Sequence, residues 1–233
     1  MIRGVFFDAG NTVVFPDYSI YRGIAAECGA GVTVEQVVDA EAGARSAFDD
    51  AVARTRGKDI PDYWSIYYTP FYEALGVAAS SIPEAIEKTR IANDTEPGIW
   101  IVPVEGLDAT VAALRERGLA LGIVSNTDGR LDGRLRRIGI RDHFDFVIDS
   151  VVVGVSKPDP RIFALALEEV SLAAPEVVFV GDYYVVDVVG ARNVGMTPVL
   201  FDPQGVYGEV DCEVITRLDG VVPLVDRLNG GYR

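Results

Sequence analysis

The sequence predicts an α/β fold, a Rossmann-like parallel sheet core with an inserted all-helical domain. Three observations carry that prediction. A strand-length apolar run, Arg3-Gly4-Val5-Phe6-Phe7, ends abruptly on Asp8 and a Gly-Asn turn signal. From about Asp17 to Asn93 the periodicity is helical, interrupted by Gly and Pro, and contains no convincing strand. From Val104 onward, short apolar strands alternate with helices, the rhythm of right-handed crossovers in a parallel sheet.

Taken in order, the opening strand puts a carboxylate at the carboxyl end of a buried strand, where open α/β sheets bind ligands. In the helical block, Thr33 caps a helix running toward Arg56, with Gln36 completing a capping box. Ile60 to Leu75 carries Tyr63, Trp64, Tyr67, Tyr68, Phe71 and Tyr72 at helical spacing. This pattern reads first as a helix packed into the block's own core and second as a roof over a substrate. Ser81 starts a further helix with Pro83 in its first turn. The later strands are expected at Leu119–Val124, Phe144–Ile148, Val177–Val180 and Pro198–Phe201. Helices are expected between them at Leu107–Arg117, Gly129–Ile138, Pro160–Val170 and Val185–Val194, and finally at Val222–Leu228 before an Asn-Gly-Gly stop. The sheet would hold about five parallel strands. Residues 1–15 and 98–233 are assigned to the sheet domain and 16–97 to the helical one.

The 233 residues suffice for a main domain with an insertion. A net charge of -14 argues against a nucleic-acid or anionic-membrane partner, but not against a phosphorylated substrate whose charge a metal ion or one lysine offsets. No stretch of about 18 apolar residues appears, nor a secretory leader pattern, and a cytoplasmic location is expected. Cys28 and Cys212 are far apart and read as reduced, separately buried thiols. Oligomeric state is left at monomer or homodimer.

Polar residues follow three strands at the same end: Asp8, then Ser125 and Asn126, then Gly181 and Asp182. Lys157-Pro158-Asp159-Pro160 adds a lysine in the loop that opens a helix, Pro158 favouring an extended Lys157 and Pro160 suiting a first helical turn. Asp8 and Asp182 brought close together repel, and magnesium removes that conflict by accepting one or two carboxylates, a backbone carbonyl such as that of Gly10, and waters. Ser125 and nearby backbone N–H groups suit phosphate oxygens, and Lys157 supplies a point cation. Asp8 is then able to attack phosphorus, forming an aspartyl-phosphate that water hydrolyses. Asp187, five residues after Asp182, is placed to hold metal-bound water.

These four stretches, Asp8-Ala9-Gly10-Asn11-Thr12, Val124-Ser125-Asn126, Lys157-Pro158-Asp159-Pro160, and Gly181-Asp182 with Asp187, resemble the ordered motifs of the haloacid dehalogenase-like hydrolase superfamily. The resemblance runs from Arg3 to about Phe201, includes a helical cap after the first motif, and points to the phosphoglycolate-phosphatase and haloacid-dehalogenase branch. It implies a magnesium-dependent phosphatase of a small phosphorylated metabolite, with Asp8 as nucleophile and Lys157 as its catalytic partner. Phosphate is held by Ser125, Asn126 and Lys157. Magnesium is held by Asp8, the Gly10 carbonyl and Asp182, with Asp187 supporting. Thr12 is implied to be a hydrogen-bonding residue behind the nucleophile.

One position departs from the pattern. Family phosphatases usually carry a second Asp two residues after the nucleophile as general acid and base; this chain has Gly10, and Asn11 does not titrate usefully. Positioned acid-base help is worth about a hundred- to ten-thousandfold, so a slow enzyme is expected unless the leaving group is good or Asp17 or Tyr18 supplies an acid. Metal-free 2-haloacid dehalogenases also lack that Asp, but generally carry uncharged residues where Asp182 stands. Phosphonoacetaldehyde-type hydrolases require a cap lysine, here Lys58 or Lys88. A non-catalytic binding protein of the same fold is the third alternative. His143 and the cluster Arg134, Arg136 and Arg137 read as surface features. Trp100 is expected at a return hinge, paired with residues 14–17.

Overall fold

The computed structural model describes residues 1–55 and 63–230. The chain divides into two compact units, Met1–Phe15 with Val102–Arg233, and Pro16–Ile101. In chain order the elements are β1 (Gly4–Phe7), β2 (Val14–Pro16), α1 (Tyr18–Glu27), α2 (Val34–Thr55), α3 (Tyr63–Ala74), α4 (Ile82–Asp94), β3 (Trp100–Pro103), α5 (Leu107–Glu116), β4 (Ala120–Ser125) and α6 (Leu131–Arg137). There follow β5 (Phe146–Asp149), α7 (Ser150–Val153), α8 (Pro160–Val170), β6 (Val177–Gly181), α9 (Gly190–Asn193), β7 (Thr197–Phe201), β8 (Glu213–Ile215) and α10 (Val221–Leu228).

In the first unit, six strands among the described residues form a parallel sheet in the order β5-β4-β1-β6-β7-β8. The strand order reverses direction at β1, which lies between β4 and β6, so the crevice beyond its carboxyl end is the natural ligand position of such a sheet. Every residue of β1 and β6 is buried, as expected when helices cover both faces. On one face Phe6, Phe146, Phe163 and Phe179 join Ile162, Ala166, Ala191 and Met196 in a single cluster. Phe6 meets Phe146 edge-to-face with ring centroids 4.9 Å apart. Gly122 makes room for that contact, since a Cβ there would lie 2.0 Å from the Phe146 ring. α7 leaves Val151 and Val152 62% and 71% exposed.

The parallel core matches the expectation, with boundaries shifted by a residue or two and one strand added. β8 was not anticipated because its three residues, Glu213-Val214-Ile215, bury only Ile215 and pair on one side alone. The helix expected from Gly129 begins at Leu131: Gly129 has a φ of 88°, and the Asp149 carboxylate takes the N–H groups of Gly129 and Leu131. The helix expected over Val185–Val194 is a wide π-type turn, Tyr184–Val189, followed by α9.

The second unit is helical, as its periodicity predicts. Thr33 and Gln36 form the reciprocal cap of α2. Arg56, Lys58 and the stretch Ile60–Asp62 lie outside the described residues. Tyr67, Tyr68, Phe71 and Tyr72 of α3 are buried in this unit's own core, where Tyr68 and Tyr21 of α1 share a 2.9 Å hydroxyl contact and Tyr72 meets Thr89 of α4. Arg45 of α2 is fully buried, its Nε 3.6 Å from Glu41, which also accepts from the Tyr67 hydroxyl. Asp17 caps α1 through Ser19, and Asp17 N–H donates to the Ile99 carbonyl. β2 and β3 form a two-stranded sheet, which includes Trp100. Cys28 and Cys212 are free and half-buried, not buried as expected: Cys28 follows the last turn of α1 and Cys212 lies in the loop before β8. Among the described residues no helix is long and apolar enough to cross a membrane.

Candidate active site

Asp8 follows β1 directly, and its N–H donates to the Val180 carbonyl of β6, so the ladder continues one step past the strand. The turn beyond it is tight. The Ala9 carbonyl accepts from Thr12, Val13 and Val14, Gly10 bridges to Val14, and Asn11 takes a φ of 54°, a conformation Asn tolerates better than most side chains. Thr12 was expected to hydrogen-bond behind the nucleophile; its Oγ1 is buried with no hydrogen-bond partner among the described residues.

Two side chains from distant parts of the chain meet the Asp8 carboxylate. Ser125 Oγ donates to Asp8 Oδ1 at 2.9 Å, and Lys157 Nζ donates to the same oxygen at 2.5 Å. Lys157 Nζ also donates to Asp187 Oδ1 at 2.7 Å and lies 5.3 Å from the Phe179 ring centroid. Asp187 spends its other oxygen on the Tyr183 N–H at 3.0 Å. The lysine is 3% exposed and Asp187 fully buried, so this is a desolvated ion network. Burial pulls the Lys157 ammonium down, but the Asp187 and Asp8 carboxylates outweigh it and hold its pKa above the usual lysine value. Asp187 is pushed up to about 6: burial disfavours its charge, the single ammonium opposes that, and nearby Asp8 reinforces it.

Gly181 explains how Asp187 reaches this position. A Cβ at residue 181 would lie 2.4 Å from the Asp187 carboxyl carbon and from one of its oxygens. The glycine before Asp182 is therefore space for a carboxylate six residues later. Asp182 is fully buried just past the end of β6, beside the strand that carries Asp8.

The amide of Asn126 accepts from Lys157 N–H at 2.8 Å and donates to the Lys157 carbonyl at 2.9 Å. Asp159 caps α8 by accepting from Arg161 N–H, with Pro160 in the first turn as expected. Two residues that the sequence reading passed over organise the same rim. Asp149 ends β5, is buried, and accepts from Gly129, Leu131 and Val151 N–H groups. Ser150 Oγ accepts from Thr127 N–H at 3.2 Å. The signal that marked Asp8, an acid ending an apolar strand, was present in Phe146-Val147-Ile148-Asp149 as well.

Other candidates fall elsewhere. Lys88 pairs with Glu27 at 2.6 Å and with Glu84 at 3.2 Å, and these hydrogen bonds raise its pKa, the opposite of a lysine poised as a nucleophile. His143 contacts Asp108 at the surface. Arg136 pairs with Asp132 on the exposed face of α6, whereas Arg134 is largely buried against Asp128, so the basic cluster is not uniformly solvated.

The model of a haloacid dehalogenase-like hydrolase matches residues 2–195. The chain belongs to the haloacid dehalogenase-like hydrolase family. This hydrolase is 36% identical over 170 residues to haloacid dehalogenase-like hydrolase domain-containing protein 3 of Mus musculus, covering 71% of this chain and 65% of that protein, so it spans about two thirds of that relative's length. It is 36% identical over 158 residues to glyceraldehyde 3-phosphate phosphatase of Pyrococcus furiosus, covering 64% of this chain and 65% of that one. In fold the hydrolase is similar to the magnesium-bound HAD-hydrolase YfnB of Bacillus subtilis, with a TM-score of 0.67, 17% identity, and coverage of 97% and 99% of the two chains.

Proposed function

We propose that this hydrolase is a phosphohydrolase acting on a small phosphorylated metabolite. The observation that carries the reading is the Asp8 carboxylate, held on one oxygen by Ser125 and Lys157 at the point where the sheet's strand order reverses. The similarity to the Pyrococcus furiosus phosphatase supports the same class of substrate.

Asp8 attacks phosphorus as the P–O bond to the leaving group breaks, and water then cleaves the aspartyl-phosphate, returning the carboxylate. In the resting site Lys157 and Ser125 restrain Asp8; with substrate present, both donors are within reach of phosphoryl oxygens, where an ammonium stabilises developing charge. Asp187 keeps the Lys157 ammonium charged and directed toward Asp8.

The donor set fits magnesium: Asp8 and Asp182 follow adjacent strands, are hard oxygen donors, and have a backbone carbonyl available at Gly10. Asp8, Asp182 and the Gly10 carbonyl would hold the ion, with Asp187 supporting. When bound, it would offset phosphate charge that a rim rich in carboxylates otherwise repels. Gly10 leaves the leaving group without a positioned acid from the first motif, so substrates with good leaving groups, acyl phosphates or phenol-like esters, suit this site best.

Hydrolysis of p-nitrophenyl phosphate with and without magnesium, beside the Asp8→Asn variant, tests the reading. Magnesium-dependent turnover lost in the variant is the expected result. Absence of turnover from the wild type, together with halide release from a 2-haloacid, would replace it with dehalogenation. Absence of both would leave a binding protein of this fold.

A further inference from the structure

We infer that Asn126 is a positioning residue, whose side-chain amide locks the main chain of Lys157 so that the ammonium is delivered to Asp8. The mechanistic part rests on the phosphohydrolase reading; the clamp itself stands on geometry. Both ends of the amide are engaged by the same residue, Oδ1 by Lys157 N–H and Nδ2 by the Lys157 carbonyl. A reversed amide would set donor against donor and acceptor against acceptor, so the Lys157 peptide also fixes which way Asn126 points. The arrangement reproduces what a neighbouring strand would offer a β residue, but at a loop where no strand runs. Two contacts 31 residues apart in sequence thus tie the loop after β4 to the loop before α8.

The loop after β4 is itself held from the end of β5 and the start of α7. Ser150 Oγ accepts from Thr127 N–H, one residue beyond Asn126, and Asp149 takes the N–H groups of Gly129 and Leu131. A chain of side-chain-to-backbone hydrogen bonds therefore runs from the end of β5, through residues 126–131, to Lys157, and from its ammonium to Asp8. Lys157 has a long flexible side chain whose desolvated head must meet two carboxylates at once, and fixing its backbone removes the freedom most able to misplace it. Asn126 is an exposed residue, yet its amide faces protein main chain, which distinguishes it from Ser125, whose hydroxyl lies on Asp8 itself.

The chain has three lysines, Lys58, Lys88 and Lys157, which makes the clamp directly readable. Lysine acylation of the full chain, followed by mass spectrometry, would be compared for wild type, Asn126→Ala and Asn126→Asp, with the surface-accessible Lys88 as internal reference. Wild-type Lys157 should react slowly. Asn126→Ala should raise its relative rate about tenfold or more, since two backbone hydrogen bonds are lost. Asn126→Asp keeps the acceptor for Lys157 N–H but faces the Lys157 carbonyl without a donor, and should fall between the two. In parallel, p-nitrophenyl phosphate kinetics should show kcat falling about tenfold in Asn126→Ala with inhibition by inorganic phosphate changed far less. Unchanged Lys157 protection with weakened phosphate inhibition would overturn the proposal and make Asn126 a direct phosphate ligand. Failure of the wild type to turn over would defeat the phosphohydrolase reading alone, because the acylation pattern decides the clamp without activity.

Discussion

Each unit of the hydrolase buries a cation, and the two are built for opposite ends. Arg45 sits mid-helix on α2, fully enclosed, beside Glu41 one turn away. Lys157 sits in a loop, between carboxylates contributed by the end of β1 and by the turn after β6. Arg45 and Glu41 stand one turn apart on one helix, so their pairing follows from local helix geometry, and Glu41 is also tied to α3 through the Tyr67 hydroxyl. The Lys157 network is assembled from four separate segments, carrying Asp8, Ser125, Lys157 and Asp187, and holds only if the sheet is in register. A buried charge paired along one helix needs only that helix for its geometry; one met by separate segments needs the sheet that brings them together.

The sharpest way to break this comparison is Arg45→Ala. Removing the guanidinium takes the opposing charge from buried Glu41, which keeps its Tyr67 contact, and should cost about 3–5 kcal/mol by urea unfolding. A cost below about 1 kcal/mol would show that Arg45 is not part of the second unit's framework. Lys157→Met should act in the other currency, cutting magnesium-dependent p-nitrophenyl phosphate turnover about a hundred- to a thousandfold while the protein still folds. Turnover within threefold of the wild type would remove Lys157 from the mechanism. Gly181→Ala tests the space made for Asp187. Pushing that carboxylate aside should lower kcat about tenfold and cost about 1–3 kcal/mol of stability. A crystal structure of the variant with the Asp187 to Lys157 contact intact would contradict the steric argument.

The smallest effect should come from a half-exposed pair. Asp145 is raised by burial but lowered more by Arg115 and by the Leu121 N–H, so its pKa lies below the ordinary carboxylate range. A depressed acid contributes stability above its unfolded pKa, near 4, and loses it as pH falls through the folded value. Asp145→Asn should therefore lower stability at pH 7 by less than about 1 kcal/mol and flatten the wild type's decline below about pH 4 in denaturant titrations.

The parallel core was legible in the sequence because its elements rest on local rules: an apolar run that ends on a polar residue, a proline that opens a helix, a box that caps one; the same rules picked out Asp8, Ser125, Lys157 and Asp187, which the fold brings together. What the site motifs do to one another was not legible. Asn126 read as a phosphate contact because serine and asparagine at a strand end suit phosphate, and no sequence rule says that its amide meets the main chain of a residue 31 positions away. Gly181 read only as the residue beside Asp182 at a strand end; its role appears only once Asp187 folds back over it. Asp149 was passed over although it obeys the same rule as Asp8, since a chain with many acids offers many strand-end candidates and only register separates them. β8 escaped for lack of length, and Arg45 because a charge in a helical pattern is ordinarily assigned to solvent.

The exposed valines of α7 carry a colloidal consequence. A formal charge of -14 surrounds Val151 and Val152 with mutual repulsion between molecules, which keeps two apolar tips from meeting in dilute buffer. That protection is electrostatic and has a range of only about 10 Å at 0.1 M salt, shrinking to about 3 Å at 1 M. Concentrated salt, or acidification toward the isoelectric point near 4.5, therefore turns the same helix from a tolerated exposure into an adhesive spot beside the rim built by Asp149 and Ser150.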